Sequence, residues 1–315
     1  MKDAPNPQNH SISDQSIAPP AQLPEKQFVP PSLGEVITSL LTHNTYTIGH
    51  KIGEGHFGIV YSCTDIWGNE LAVKVLKPLG LPYEKIKASA EAEFVKLVAL
   101  RHPNITYIYD AFEYRDTFYI ITERCFCPVS SLFAIPQFNG MAWVIPIARC
   151  LLQAVHYLHI NNVAHQDIHS DNVFTAFVKD EMPTEAKAIQ FKLADLGVAK
   201  LFTEVDAKNT RPQWILPPEI LRPQEYGPVD YRIDLYHVAL LLLQIALSKK
   251  MVFTPDEVLA GKPRETAETL PRPLNFALGK ALRRHVPHRT SSAMELWRDL
   301  QPSPTVPPQE TPTKT

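Results

Sequence analysis

The stretch 163–174, VAHQDIHSDNVF, sets Asp167 five residues before Asn172, with His165 two residues ahead of the aspartate and His169 two behind it. An aspartate that accepts a hydroxyl proton, with an amide oxygen close enough to share a metal with it, is the minimum equipment for moving a phosphoryl group. His, Asp and Asn also dominate ordinary solvated turns for backbone reasons, so the stretch needs partners elsewhere in the chain. A second stretch, Ile52 to Tyr61 (IGEGHFGIVY), carries Gly53, Gly55 and Gly58 with Val60 following. Glycines let a backbone approach phosphates closely and expose its N–H groups to them. Here they fall between two predicted strands and not at a strand-to-helix junction, which argues against a dinucleotide-binding loop.

Lys74 stands in LAVKVL, flanked by Ala72, Val73 and Val75. A lysine in so apolar a strand carries a burial penalty of several kcal/mol unless it is paired. Glu93, on the edge of an inward helical stripe, is the candidate partner. Asp195-Leu196-Gly197 ends another predicted strand and adds a second acidic group. Pro217-Pro218-Glu219 and Arg289 are either a buried pair or unrelated surface charges.

The elements that must position these groups come in two halves. Runs at 46–52, 59–65, 70–76, 108–114 and 117–123 mix β-branched or aromatic residues with polar ones, and predict about five antiparallel strands. Gly68-Asn69 and Arg115-Asp116 supply tight turns. One helix, 83–100, interrupts them, with Ile86, Ala90, Phe94 and Leu97 at helical spacing. Beyond the strands the chain turns helical, at 142–159, 233–248, 276–285 and 292–300, with Ser292 and Glu295 spaced as a capping box. The charged segment between Phe177 and Ile189 reads as a solvated hairpin loop.

Taken together and in order, the glycine loop, strand lysine, helix glutamate, H-x-D-x-x-x-x-N, D-x-G and P-P-E resemble the eukaryotic-type protein kinase family over roughly 46–300. The resemblance implies an α+β, bilobal protein-kinase fold. Its N-lobe, about 45–123, would be a small antiparallel β-sheet with one helix, and its C-lobe, about 127–301, larger and mainly helical. It also implies an enzyme using ATP and Mg²⁺ to phosphorylate a protein hydroxyl, serine or threonine by default. Position by position, Lys74 would hold the α- and β-phosphates, paired with Glu93, while Asn172 and Asp195 would bind the metal. Asp167 would orient the attacking hydroxyl and accept its proton. The nucleotide would lie against Ile52, Gly53, Glu54, Gly55, Gly58 and Val60, with Ala72, Val60 and Phe174 around the base. Glu123 and Cys125 would line the hinge behind Thr122, the gatekeeper. Leu97, Ile108, His165 and Leu196 would form the stack joining the lobes, Asp234 would anchor the catalytic loop, and Glu219 would pair with Arg289.

The chain departs from the pattern at Gln166, Leu196, His169 and the stretch 209–219, with Leu196 in place of the usual phenylalanine a mild change. Gln166 replaces an arginine that binds a phosphorylated activation loop, so activity independent of that phosphate is expected; Thr203 and Thr210 are the candidate sites. His169 replaces a lysine that contacts the γ-phosphate. A unit charge about 4 Å away at an effective dielectric near 20 is worth roughly 4 kcal/mol, enough to favour the imidazolium when nucleotide is bound. In 209–219, NTRPQWILPPE, counting from Glu219 puts Pro212, and counting from Trp214 puts Arg211, where the family has a threonine. Two other readings fit the same loop: a kinase-like scaffold without catalysis, and a small-molecule phosphotransferase.

Composition bounds the rest. The 315 residues carry a formal charge of −2, which gives no electrostatic reason to expect nucleic acid or an anionic membrane as partner. Four cysteines without a paired framework suggest a reducing, cytoplasmic setting, and Cys125-x-Cys127 has no second pair at zinc spacing. The apolar run 235–247 is too short to span a bilayer and reads as a buried helix. Residues 1–33 and 302–315 are rich in Pro, Gln and Ser and predict disordered segments flanking a domain at 34–301, the first with Pro-Pro pairs on which a partner could dock.

Overall fold

In the computed structural model the described residues are 29–55, 58–77, 100–179, 187–196, 199–205 and 214–302. Among the described residues eleven strands run β1 (Val36–Thr38), β2 (Thr45–Glu54), β3 (Gly58–Asp65), β4 (Glu70–Leu76), β5 (Ile108–Tyr114), β6 (Thr117–Glu123), β7 (Cys127–Pro128), β8 (Val163–Ala164), β9 (Val173–Lys179), β10 (Lys187–Leu193) and β11 (Lys200–Leu201). The first six form one antiparallel sheet in the order β1-β2-β3-β4-β6-β5. The predicted strands therefore stand, but the sheet has six strands instead of five. The extra one, β1, is three residues long with only Ile37 buried, too brief to leave an alternating pattern. The turns are as read: Gly68, Arg115 and Asp116 all have positive φ. Pro31 is buried and the Ser32 N–H bonds Glu35, so the packed chain begins upstream of residue 34. The helix expected over 83–100, with Glu93 and Leu97, lies outside the described residues except for Leu100, which is not helical.

The helical half contains α1 (Gly140–Ile160), α2 (Pro218–Leu221), α3 (Pro223–Tyr226), α4 (Arg232–Ala246), α5 (Pro255–Ala260), α6 (Lys262–Glu268), α7 (Leu274–Ala281) and α8 (Ala293–Asp299). Helix α1 starts where the Asn139 side chain accepts the Ala142 N–H and buries Val144, Ile147, Leu151, Val155 and Leu158. Burying five such side chains is worth on the order of 10 kcal/mol before chain entropy is subtracted. Its first residue must be small: a Cβ on Gly140 would meet the Ile245 carbonyl of α4 at 1.7 Å. Among the described residues α1, not the run at 235–247, is long and apolar enough by length and composition to cross a membrane; here its inner face packs on α4 and α8. Helix α4 is buried from Ile233 to Ala246, as its nearly unbroken apolar sequence requires.

The capping box at Ser292 is only half present. Ser292 accepts the Glu295 N–H, but the Glu295 carboxylate goes to Ser291 and to Lys280. A lysine within reach outcompetes the neutral amide that a capping box would offer. A complete box occurs instead at Thr254 and Glu257, opening α5. The segment between Phe177 and Ile189 begins and ends in strand, β9 running to Lys179 and pairing with β10 from Lys187, and residues 180–186 lie outside the described residues.

Candidate active site

The glycine-rich stretch is the tip of the β2–β3 hairpin, where Gly53 pairs with Val60 and the Gly55 N–H donates to the Gly58 carbonyl at 2.9 Å. Gly58 is fixed by packing, because a Cβ there would lie 2.7 Å from the Val75 carbonyl. A Cβ on Gly55 would meet nothing within 4 Å, so the bareness of this residue leaves open space at the loop. Ile52 is exposed and Val60 half-buried. Glu54 is clasped by Lys51 and Lys77, which pull its carboxyl down to about 2. Lys77 also donates to the Gly55 carbonyl at 3.2 Å, a strap across the loop that the sequence did not suggest. His56 and Phe57 lie outside the described residues.

Strand β4 places Lys74 opposite Val60 and Ile120, and Ala72 opposite Thr122. The Lys74 ammonium lies 2.7 Å from Asp195 Oδ1, joining the six-stranded sheet to the helical half. Its expected partner Glu93 is outside the described residues. Asp195 has φ 58°, left-handed for a residue with a Cβ, a strained geometry that turns its carboxylate toward Lys74.

The loop at 163–174 is held from below by Asp234 in the first turn of α4. This fully buried carboxylate accepts the backbone N–H of His165 (2.9 Å) and of Gln166 (2.7 Å) and contacts His159 Nε2 (2.8 Å). Burial pushes the Asp234 carboxyl up, and the His159 contact with those bonds reverses this, so it titrates below its usual range. His165 Nδ1 accepts the Asp167 N–H, which leaves its Nε2 proton for the Ala194 carbonyl at 3.0 Å. The loop is thereby tied to the residue preceding Asp195. Asn172 spends its amide nitrogen on the Asp167 carbonyl at 3.0 Å, so the amide oxygen is the atom available as a ligand. Gln166 has φ 70° and is buried, with no acceptor for its amide nitrogen among the described residues.

His169 Nε2 is 3.6 Å from Asp167 Oδ2, and its Nδ1 is 3.7 Å from Asp171. Burial pulls the imidazole down, but the two carboxylates outweigh it and hold the ring up at about 9. The Asp171 N–H also points at Nδ1, at 3.2 Å. That bond needs an unprotonated nitrogen and favours the neutral ring; two carboxylates against one amide dipole favour the cation. For Asp167 itself, burial raises the carboxyl and His169 more than compensates, so it titrates below the usual range. Trp214 lies beside this cluster, its ring 6.1 Å from His169 and 5.7 Å from His237. Arg211 and Pro212 are outside the described residues.

At the hinge, the Glu123 N–H donates to the Tyr107 carbonyl, while the Glu123 carboxylate turns onto the buried Lys192 of β10 at 2.7 Å. Lys192 also sits over the Tyr107 ring, 4.8 Å from its centre. No local signal marks this bridge in the sequence, since its partners are 69 residues apart. Cys125 is a thiol and not a reactive thiolate, burial pushing it up to about 12. Phe174 is half-buried on β9 opposite Lys192. Leu196 and His165 are buried, with Ile108 partly so, and Leu97 lies outside the described residues. Glu219 and Arg289 form a buried pair, Nη1 to Oε1 at 2.6 Å.

This arrangement offers one ammonium and two oxygen ligands, from separate loops, beside a single ionised proton acceptor. Carboxylate and amide oxygens suit a hard cation such as Mg²⁺, and among the described residues nothing lies within 4 Å of where a Cβ on Gly55 would stand.

Comparison with known proteins agrees with that chemistry. A family model described as the protein kinase domain matches residues 46–295. The mouse serine/threonine-protein kinase Nek11 is 27% identical over 290 residues, covering 84% of this chain and 42% of its own length. The mouse serine/threonine-protein kinase TAO3 is 25% identical over 262 residues, 79% of this chain and 27% of its own. The RAF proto-oncogene serine/threonine-protein kinase of Xenopus laevis is 28% identical over 208 residues, 63% of this chain and 30% of its own. The chain thus spans less than half the length of these curated relatives. Among solved structures, the Mycobacterium tuberculosis PknI kinase domain shares the fold with a TM-score of 0.60 at 20% identity, covering 86% of this chain and 98% of that one.

Proposed function

Because the chain belongs to the protein kinase family, we propose that it transfers the γ-phosphoryl group of Mg-ATP to a serine or threonine hydroxyl of a protein. The observation that carries the reading is the 2.7 Å contact of Lys74 with Asp195, which supports a strand lysine working beside the carboxylate proposed as metal ligand. The names of the relatives, all serine/threonine-protein kinases, support the choice of hydroxyl.

Asn172 and Asp195 would hold Mg²⁺ through oxygen, and the ion would supply neutralisation of phosphate charge when bound. Lys74 adds a cation on the α- and β-phosphates. Asp167, ionised at neutral pH because its carboxyl titrates low, orients the acceptor hydroxyl and takes its proton as the oxygen attacks phosphorus. His169, as imidazolium beside Asp167, meets the γ-phosphate where the family has a lysine. Asp234 keeps the loop in register through two backbone N–H bonds. Glu123 and Cys125 present backbone to the base, with Thr122, Ala72, Val60 and Phe174 around it. A cytoplasmic location belongs to the same proposal, supported by four unpaired cysteines.

The test is incorporation of labelled phosphate from ATP with Mg²⁺ into generic protein acceptors, beside an Asp167→Asn control. Removing the proton acceptor should lower turnover about a hundredfold or more. No incorporation by either protein while nucleotide still binds refutes transfer, and equal incorporation by both refutes Asp167 as the proton acceptor.

A further inference from the structure

The helical half holds a second concave site, far in sequence from the loop 163–174. A cavity of about 280 Å³ opens between α6 and the 283–288 segment, lined by Gly261, Arg264, Arg283, Arg284, His285 and His288. Every side chain in that wall is basic, although the whole chain has a formal charge of −2. Arg264 is met by Glu268 at 2.8 Å. Among the described residues, no carboxylate comes within ion-pair distance of Arg283 or Arg284; the nearby Glu225 is engaged by Arg222.

The wall is built, not merely charged. Arg289, locked on Glu219, donates to the Arg283 carbonyl at 2.6 Å and to the Arg284 carbonyl at 3.1 Å, so the deepest ion pair of the helical half fixes the backbone of both. Arg283 Nη1 then donates to the His288 carbonyl and Arg284 Nη1 to the Leu259 carbonyl at the end of α5. Each guanidinium is held by one nitrogen and keeps further N–H groups to offer, so little ordering remains when a ligand arrives. A shallower depression of about 180 Å³ shares Arg264 and Arg283 and continues to Arg272 and Lys280.

We propose that this cavity binds a phosphate monoester dianion, on a phosphorylated serine or threonine of a peptide or as free phosphate. Two neighbouring guanidinium forks match the bidentate geometry of phosphate oxygens better than that of an isolated carboxylate. The half-open cavity, about 280 Å³ in volume, suits one such group with its flanking chain in the adjoining depression, whereas a nucleic-acid strand needs a longer track.

The test uses the full chain carrying Asp167→Asn, so that no transfer confuses the readout and a failure here says nothing against the proposed catalysis. Fluorescence anisotropy would measure a labelled peptide with one phosphothreonine among acidic residues, its unphosphorylated twin, and inorganic phosphate as competitor. The phosphopeptide should bind at least about tenfold tighter than its twin, and Arg283→Gln with Arg284→Gln should weaken it about tenfold or more. Arg283→Lys with Arg284→Lys should restore part of the loss, and Arg149→Gln on the exposed face of α1 should change nothing. Competition by inorganic phosphate with no peptide preference would assign the site to soluble phosphate. Binding independent of phosphorylation and of inorganic phosphate, binding untouched by the double variant, or tighter capture of an RNA oligonucleotide than of the phosphopeptide overturns the proposal. If the double variant loses its cooperative melt, Arg284→Gln alone, at an exposed side chain, decides it.

Discussion

His169 should make catalysis fail in alkali. The two carboxylates at 3.6 and 3.7 Å each attract a proton on the ring by about 4–5 kcal/mol at an effective dielectric near 20. Burial opposes them, and the ring is left titrating at about 9 against an ordinary value near 6.5. The folded value is raised, so the cation is complete below neutral pH and is lost as pH climbs through 9. At pH 7 the ring is then about 99% charged, where an ordinary histidine would be about one quarter charged. Between pH 7 and pH 10 the charged fraction, and with it kcat/KM, should fall about tenfold. The assay is phosphate incorporation at saturating Mg²⁺ across pH 6–10.5, with substrate and nucleotide varied separately. His169→Lys should flatten the alkaline limb to beyond pH 10, and His169→Gln should give a flat but lower profile. Wild type and His169→Lys showing superimposable profiles, or wild type falling already between pH 6 and 7.5, would refute the cationic role.

Other consequences are simpler to read. Arg289→Ala leaves Glu219 buried without its cation, and should lower stability by about 3–5 kcal/mol in denaturant melts, whereas an exposed arginine such as Arg149 should tolerate the same change. Asp234→Ala removes the acceptor of two backbone N–H groups under the catalytic loop; turnover should drop at least tenfold while the far-ultraviolet dichroism stays that of the folded protein. Because Gln166 supplies no cation, Thr203→Ala with Thr210→Ala should retain activity within about twofold, measured after phosphatase treatment of both proteins; abolished activity would contradict this.

Much of the site was legible because its parts are short and local. Asp167 and Asn172 share one loop, Lys74 is conspicuous among apolar neighbours in β4, and Asp195 ends a strand; each announces itself within ten residues. The residues alone left the pair of Glu219 with Arg289 as one of two readings, which family resemblance decided, and the anchoring by Asp234 followed only from that resemblance. What escaped are contacts between distant residues of ordinary type. Asp110 is buried and bonded by Thr42 and Tyr46, which pins the β1–β2 connection to β5, and nothing near any of the three suggests it. Lys77 over the Gly55 carbonyl and the Glu295 carboxylate drawn to Lys280 are the same kind of event: a long flexible cation finds an acceptor that propensity cannot foresee. The short helices α2, α3, α5 and α6 were missed because four to seven residues are too few to show a period.

The bridge from Lys192 to Glu123 limits how the molecule can breathe. Lys192 sits near the end of β10, three residues before Asp195, so the lysine that grips Glu123 and the carboxylate that faces Lys74 are joined by a short length of chain. Any rocking of the upper sheet that pulled Glu123 away would strand a nearly dehydrated ammonium, and the cheaper route is for both to travel together. In the proposed function the base would lie beside Glu123 and the phosphates beside Asp195, so this short link would join the two ends of the nucleotide site.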